Sequence, residues 1–202
     1  MNYTELNHEL GNIDIYLLDA ILKGYFPQGT KLLDAGCGEG RNLFYFLKNG
    51  YECYGTDVNE SALRMLRFQI NSVAPGYPTD RFTSGDLTQL PYQDAAFDAV
   101  LCIAVLHFAE NEEHFRKMFS ELVRVLRPAG RLLIRMTDNT AMDKAEHIGE
   151  GKYSLPDGSI RFLMTPKLLS ELIDTYSLNF AEPGKSLVVS GMRSMNILML
   201  AK

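Results

Sequence analysis

The stretch LLDAGCGEGRN, residues 32–42, decides the fold, because an apolar run stops there at three closely spaced glycines. Glycine adopts positive φ at low cost, so the pattern predicts a buried strand followed by a sharp turn. Helical spacing follows over residues 41–50, with Leu43, Phe44 and Leu47 on one face. A helix placed after such a loop directs its free N–H groups and its positive dipole end toward the turn. The stretch is therefore typical of a strand-loop-helix unit that binds a ligand with an anionic or acceptor-rich part.

Strand and helix patterns alternate on both sides of residue 100. We predict further strands at YECYGTDV, DRFTSGDL, FDAVLCIAVLHF and, after a turn at RPAG, RLLIRMT. Helices are predicted at ESALRMLRFQI, capped by Asn59, at NEEHFRKMFSELVRVL, and at PKLLSELIDTYS, capped by Thr165. Continuous apolar strands separated by helices favour an α/β, doubly wound, mostly parallel sheet with helices on both faces. The final runs KSLVVS and SMNILMLAK predict an antiparallel C-terminal hairpin at the sheet edge.

The length of 202 residues predicts a single domain, 1–202, with residues 1–29 as an N-terminal helical cap. Residues 139–164 form a polar, turn-rich insertion, in which SLPDGSIRFLM is expected to make a hairpin around a Pro-Asp-Gly turn. Insertions of this kind commonly form lids over a site.

Composition excludes several classes of protein. The net charge of −5 and the lack of a Lys/Arg run argue against a large nucleic-acid surface. Cys37, Cys53 and Cys102 are an odd number without metal-ligand spacing, which indicates free thiols in a reducing compartment. The N-terminal sequence shows no signal-peptide pattern, and no apolar run is long enough to span a membrane. We therefore expect a cytoplasmic protein that binds no membrane, as a monomer or homodimer.

The glycine loop by itself does not identify its ligand. Gly36, Gly38 and Gly40 give the spacing G-x-G-x-G after Asp34, whereas a dinucleotide loop needs glycine at the position of Arg41. This difference disfavours a nicotinamide enzyme.

Two carboxylates at predicted strand ends indicate the class of ligand that the loop binds. Asp57 ends the second strand, where a carboxylate can accept hydrogen bonds from both hydroxyls of a ribose. Asp86 ends the third strand, where it can accept from an exocyclic amine of a base. One loop and two such carboxylates predict a pocket for a nucleoside with a short charged tail.

The segments LLDAGCGEGRN, YGTDVNESAL, SGDLTQLPYQDAAFDAVLCIAVLHF and LVRVLRPAGRLLI resemble the successive motifs of class I S-adenosylmethionine-dependent methyltransferases, of the small-molecule type. The resemblance covers about residues 30–137 and implies a seven-stranded sheet with one antiparallel strand. It also implies S-adenosylmethionine as donor and S-adenosylhomocysteine as product. The residues then expected to bind the donor are Asp34, Gly36, Cys37, Gly38, Gly40, Asn42, Asp57, Val58, Asp86, Leu87, Ile103 and Ala104.

The resemblance also implies a division of roles among these residues. Asp57 would hold the ribose, Asp86 the adenine amine, and Leu87 the face of the adenine ring. Ile103 and Ala104, at the end of the fourth strand, would lie near the methionine end.

Some of these residues also have simpler interpretations. Asp34 could orient the loop and reach the methionine amine, or it could only cap loop N–H groups. Asp86 could be a turn residue, and Cys37 a small loop filler. His107 follows the fourth strand beside the expected methyl, where it could act as a general base. It could equally be a helix-start or packing histidine.

The predicted function is methyl transfer to a small-molecule acceptor by in-line displacement, which mostly requires alignment and exclusion of water. The acceptor pocket is expected to include residues 3–16, the strand-four end and residues 138–164, within which Arg161, His147 and Tyr153 could touch the acceptor. We expect no metal, because Asp138 and Asn139 have no acid after strand four to complete a site.

Two rival functions remain on the same fold. One is aminopropyl transfer, although the acid-rich strand-four loop of that family is missing. The other is a non-catalytic nucleoside-binding sensor or scaffold.

Overall fold

A mixed β-sheet forms the centre of the protein, which is described by a computed structural model for residues 2–139 and 145–202. Five strands follow one another along the chain in parallel: β1 (Lys31–Ala35), β2 (Glu52–Asp57), β3 (Phe82–Ser84), β4 (Phe97–Ile103) and β5 (Leu126–Asp138). After three short strands of a separate sheet, β11 (Arg193–Ala201) pairs antiparallel with β5, and β9 (Asn179–Phe180) and β10 (Lys185–Val189) each pair antiparallel with β11.

The strand order is β10-β11-β5-β4-β1-β2-β3, with the two-residue β9 paired to β11 outside this path. The seven-stranded, mostly parallel sheet and its antiparallel C-terminal hairpin are therefore confirmed. The order reverses at β1, since β2 lies on one side of it and β4 on the other. In open α/β sheets a ligand crevice forms at the carboxyl ends of the strands that flank such a reversal.

Helices cover both faces of the sheet. They are α1 (Tyr3–Leu10), α2 (Ile15–Leu22), α3 (Phe44–Lys48), α4 (Glu60–Val73), α5 (Glu112–Val125) and α6 (Pro166–Tyr176). Two hydrophobic cores lie on opposite faces of the sheet, and successive residues of β1 point into them in turn. Leu32 packs with α2, α3 and α4, and Leu33 packs with α5 and α6. This alternation follows from the two-residue period of a strand.

Polar caps set the starts of the long helices. The Asn59 side chain accepts hydrogen bonds from the N–H groups of Ser61 and Ala62 at α4. Thr165 does the same for Leu168 at α6. Both caps were expected from the sequence, because these side chains satisfy N–H groups that have no partner within the helix.

Several predicted elements differ in extent from the structure. The third strand, expected over residues 80–87, is only Phe82–Ser84, so Asp86 lies two residues beyond its end. The helix after the glycine loop has five residues and begins only at Phe44. The fourth strand ends at Ile103, because Ala104 adopts a φ of 63° and breaks the extended run. The expected turn at RPAG is a bulge within β5, where the pairing shifts between Phe97 and Ala99.

The predicted insertion contains a small antiparallel sheet of β6 (Glu146–Gly149), β7 (Lys152–Ser154) and β8 (Ile160–Phe162). The expected hairpin is its β7–β8 pair. The Phe162 ring stacks on Phe115 of α5 at 4.7 Å, which anchors β8 to the core. Residues 140–144 of the insertion lie outside the described residues.

The loop after β1 is tied to β2 through its backbone. The N–H groups of Gly36 and Cys37 both donate to the carbonyl of Thr56, at 2.7 and 3.2 Å. Gly36 has a φ of 83°, and a Cβ at this position would lie 2.3 Å from Cγ2 of Val105. The position therefore requires glycine for both its backbone angle and its close packing.

Gly36→Ala should lower the free energy of unfolding by about 2–4 kcal/mol, because left-handed strain and overpacking add. Gly76 is the matched control, since it has the same φ of 83° but open space around a Cβ. Gly76→Ala should cost about 1–2 kcal/mol from strain alone. Urea denaturation of both variants measures the difference. Equal losses in the free energy of unfolding would show that close packing against Val105 adds nothing to the cost at Gly36.

Candidate functional site

A cavity of about 380 Å³ opens at the carboxyl ends of β1, β2 and β4. Its volume lies in the range of small-molecule sites. The lining residues are Gly36, Asp57, Val58, Asp86, Leu87, Ile103, Ala104, Val105, Phe108, His114 and Met118. The first seven were expected from the sequence to bind one ligand, and the structure places them around one space.

Asp57, at the end of β2, holds the two chain segments that border this cavity. Its Oδ2 accepts a hydrogen bond from the N–H of Gly38 at 2.8 Å. Its Oδ1 accepts from the N–H of Asn59 at 2.8 Å. Each carboxylate oxygen has a second lone pair. Asp57 can therefore fix the loop and still accept hydrogen bonds from a ligand in the cavity.

Asp86 is exposed on the opposite side of the cavity. Its Oδ1 accepts from the N–H of Thr88 at 2.6 Å, so it does form the turn that the simpler interpretation proposed. Hydrogen bonds from Thr88 hold the pKa of the Asp86 carboxyl below its usual range, against a smaller raising effect of burial. The carboxylate is charged near neutral pH and remains open to a ligand donor.

Apolar side chains form the rest of the wall. Leu87 and Ile103 are buried, whereas Val58 is 68% exposed at the rim. Ala104 adopts the left-handed region, and its N–H donates to the carbonyl of Arg135 at 2.7 Å. Strain in a non-glycine residue is stored most often at functional sites, which agrees with the place of Ala104 beside the cavity.

Asp34 lies beneath the loop instead of on the cavity wall. Its side chain is 1% exposed, and its Oδ2 has no hydrogen-bond partner among the described residues. Burial and, to a smaller extent, the charge of Asp57 raise the pKa of Asp34 to about 7, against a lowering effect of Arg41. A buried carboxyl without a partner is costly, which marks this position for a function other than stability.

The other loop residues expected to bind a ligand do not line the cavity. The backbone N–H of Gly38 donates a hydrogen bond to the Asp57 carboxylate. Gly40 lies against Leu66 of α4, where a Cβ would come within 2.3 Å. The Cys37 side chain is buried, and burial raises the pKa of its thiol, so it is not a reactive nucleophile.

Asn42 has a structural contact of its own. Its Oδ1 accepts from the N–H of Asp14 at 3.0 Å, which fixes the start of α2 against the glycine loop.

His107 is 7% exposed and does not line the cavity. Its ring packs edge-on against Phe108, with centroids 4.6 Å apart, and its Nδ1 has no partner among the described residues. Burial and, to a smaller extent, the charges of three arginines together lower the pKa of His107 to about 4. The imidazole is neutral near pH 7 and is a weak base; its catalytic role stays a prediction.

Of the segments expected to form the acceptor pocket, some lie near the cavity and others do not. Helix α1 has no buried residue and packs on α3, and none of its residues lines the cavity. The start of α2 does reach the strand ends, because Asp14 forms an ion pair with Arg135 at 2.7 Å. Of the insertion, His147 and Tyr153 contact each other, and the Arg161 guanidinium lies 4.8 Å from the centroid of Phe108.

Four lining residues were not expected from the sequence. Val105 and Phe108 follow the end of β4, where the chain turns instead of continuing as a strand. His114 and Met118 lie in the first two turns of α5. The helical spacing of NEEHFRKMFSELVRVL places Met118 on the apolar face of α5, and such spacing does not distinguish a core residue from a cavity wall.

Residues 2–139 and 145–202 contain no group of three His, Cys, Asp or Glu side chains placed to hold a metal ion. The absence of a metal stays a prediction. No described helix is long and apolar enough to cross a membrane.

The comparison with known families finds a match to the model described as "Methyltransferase domain" over residues 33–134. A phthiotriol/phenolphthiotriol dimycocerosates methyltransferase of Mycobacterium ulcerans is 29% identical over 147 residues, which are 72% of this chain and 49% of that protein. The chain thus spans about half the length of this relative.

Two solved structures share the fold. A SAM-dependent methyltransferase of Methanosarcina mazei matches with a TM-score of 0.72 and 20% identity, over 90% of this chain and 96% of that chain. Magnesium protoporphyrin IX methyltransferase of Synechocystis, solved with bound SAM, matches with a TM-score of 0.68 and 20% identity, over 98% and 80% of the chains.

The raised pKa of Asp34 predicts a pH dependence of stability. A carboxyl that binds its proton more tightly when folded stabilises the protein fully below its unfolded pKa near 4. This stabilisation is lost as the pH rises through about 7. Relative to Asp34→Asn, the wild type should lose on the order of 2 kcal/mol between pH 5 and pH 8. Asp174→Asn, on the exposed side of α6, is the control, and chemical denaturation across this range measures all three proteins. A constant difference between wild type and Asp34→Asn would contradict the shift.

Proposed function

The chain belongs to the methyltransferase-domain family, and we propose that it transfers the methyl group of S-adenosylmethionine to a small-molecule acceptor by in-line displacement. One observation carries the proposal: Asp57, Asp86 and the glycine loop, from three separate strand ends, border a single cavity. This is the arrangement that a nucleoside with a short charged tail requires.

The described residues fit this donor. Gly38 has a φ of 52° and open space where a Cβ would stand, so a ligand can approach the loop backbone closely. The unpartnered Oδ2 of Asp34 lies below the same loop, where it can compensate a cationic group of the donor. We assign the ribose hydroxyls to Asp57, the adenine amine to Asp86, and the ring face to Leu87 and Val58.

The sulfonium of the donor supplies a methyl group that is already activated for displacement. What this chain must add is alignment and exclusion of water. Ile103, Val105 and Met118 form an apolar wall that can shield the reacting atoms. Among the lining residues, His114 uses its Nδ1 to accept from the N–H of Glu110 at 3.2 Å, so this nitrogen is not free to take a proton.

The acceptor is proposed to be a small molecule bound between the cavity mouth and the insertion. Support comes from the modest volume of the cavity, about 380 Å³, and from Phe108 in its wall, against which the Arg161 guanidinium lies. The relative from Mycobacterium ulcerans is named for a small-molecule acceptor, but it is twice as long as the aligned region. The same residues would serve the two rivals, aminopropyl transfer and nucleoside sensing. Mass spectrometry of metabolite extract incubated with protein and donor distinguishes them, because only methyl transfer adds 14 mass units, the mass of one CH₂, to an acceptor.

Asp57→Ala should reduce affinity for S-adenosylhomocysteine tenfold or more, since each charge-assisted hydrogen bond contributes about 1.5–3 kcal/mol. Asp98→Ala is the matched control. Asp98 is also a strand carboxylate that accepts a hydrogen bond from a backbone N–H, that of Lys31 at 2.8 Å, but it lies at the amino end of β4, away from the cavity. Titration calorimetry should show weakened binding in Asp57→Ala alone. Unchanged affinity in that variant would exclude Asp57 from the donor site.

His107 should position neighbouring groups and not remove a proton, because its lowered pKa of about 4 makes it a weak base. We expect His107→Asn to keep most of the turnover, and the wild-type rate to show no histidine inflection between pH 5.5 and 8. Steady-state rates with an identified acceptor test both. A loss of about a hundredfold in His107→Ala and His107→Asn alike, with unchanged melting temperatures, would instead establish a general base.

A further inference from the structure

We propose that the methyl acceptor carries an anionic group, a carboxylate or a phosphate, and that Arg161, Arg193 and Arg135 bind it beside the mouth of the donor cavity. The inference rests on the proposed methyl transfer and adds the chemical class of the acceptor.

Three separate elements bring these arginines to one edge of the sheet. Arg135 in β5 pairs directly with Ile103 of β4, a residue of the cavity wall. Arg161 in β8 places its guanidinium 4.8 Å from the centroid of Phe108, another wall residue. Arg193 begins β11, whose next residue pairs with the carboxyl end of β5. The three side chains thus extend from the sheet, the insertion and the C-terminal hairpin.

His107 lies between two of the elements that carry these arginines, because β5 and β8 both contact the turn of residues 106–108. After burial, the charges of Arg161, Arg193 and Arg135 are what lower the pKa of His107. The ring is 7% exposed, and its Nδ1 has no partner among the described residues. Three cations and a neutral, unpartnered ring nitrogen meet at the base of this surface.

These guanidinium groups have hydrogen-bond donors to spare. In the part of the chain that the structure describes, Arg161 donates to the carbonyl of its preceding residue at 2.8 Å and makes no ion pair. Arg193 is half exposed, and its ion pair with Asp157 is 3.9 Å long. Arg135 uses Nη1 on Asp14, but its buried Nε has no partner. A guanidinium has five N–H donors, so most of those of Arg161 and Arg193 remain available to an oxyanion, whereas Arg135 contributes chiefly its charge.

The nearby carboxylates are already engaged. Asp14 is shared between Arg135 and Arg41. Asp157 accepts two hydrogen bonds within its own turn, and Asp138 is buried and accepts from a serine hydroxyl. The whole chain has a net charge of −5, so a group of arginines at one edge departs from its average surface. Fixed cations beside a cavity favour an anionic ligand over a neutral one.

An anionic acceptor also agrees with the weak base beside it. When a carboxylate oxygen attacks the methyl carbon, a C–O bond forms and the C–S bond breaks, with its electron pair left on sulfur. The negative carboxylate and the positive sulfonium become a neutral ester and a neutral thioether. No proton has to move, so no general base is required.

The test titrates the protein, saturated with S-adenosylhomocysteine, with benzoate, phenyl phosphate and neutral benzamide. Binding is followed by the NMR signals of the His107 ring. We expect saturable shifts with an anion and at least tenfold weaker binding of benzamide. The double variant Arg161→Gln/Arg193→Gln should weaken anion binding tenfold or more, and it should raise the pKa of His107 without ligand. Arg131→Gln is the control, because Arg131 lies in the amino-terminal half of β5 and its side chain donates to the carbonyl of Ala129 there.

Binding of benzoate alone would restrict the acceptor to carboxylates, and binding of phenyl phosphate alone would restrict it to phosphates. Anion binding that is equal in wild type and double variant would overturn the inference, as would an unchanged pKa of His107 in the double variant. Failure of both anions to bind, while S-adenosylhomocysteine binds, would overturn it and leave the donor assignment intact. Failure of S-adenosylhomocysteine itself to bind would count against the proposed function. The anion titrations would then be repeated on the protein without S-adenosylhomocysteine, and the same criteria would decide the anion site.

Discussion

The carboxylate of Asp57 is the contact on which the site depends, because it joins parts of the chain that the sheet alone would leave separate. It accepts from Gly38 in the loop after β1 and from Asn59 at the start of α4. The backbone of Gly36 and Cys37 adds hydrogen bonds to the neighbouring carbonyl of Thr56. These contacts hold the loop in a left-handed conformation that exposes its backbone to the cavity.

Two residues near the loop are in energetically unfavourable states. Asp34 is buried below the loop with an unpartnered oxygen, close enough to Asp57 for the two charges to repel. Ala104 accepts backbone strain on the other side of the cavity. Buried unpartnered groups and strained non-glycine residues reduce stability, so their occurrence together at one cavity indicates that binding is what maintains them. A bound donor with a cationic end would compensate the Asp34 charge.

The two ends of the cavity differ in charge. Asp57 and Asp86 line the part that we assign to the nucleoside, whereas Arg161 lies against Phe108 of the wall and belongs, with Arg193 and Arg135, to the anion site that we propose. A cationic donor and an anionic acceptor would each meet the complementary sign at its own end. This polarity would orient both molecules before any chemistry occurs, which is the main contribution that a protein makes to an in-line displacement.

The sequence by itself determined the sheet, its hairpin, the caps at Asn59 and Thr165, and seven residues of the cavity wall. These features depend on local spacing: glycines that end an apolar run, carboxylates at strand ends, and periods of two and 3.6 residues. Tertiary structure alone decided that α5 supplies His114 and Met118 to the cavity wall. The sequence pattern of an apolar helical face is the same whether that face packs on a core or borders a cavity. Tertiary structure also decided that His107 is buried, which lowers the pKa of its ring, and that the charges of Arg161, Arg193 and Arg135 act on it in the same direction. Burial and the convergence of residues far apart in the chain set pKa values and charge clusters, and no local pattern records them.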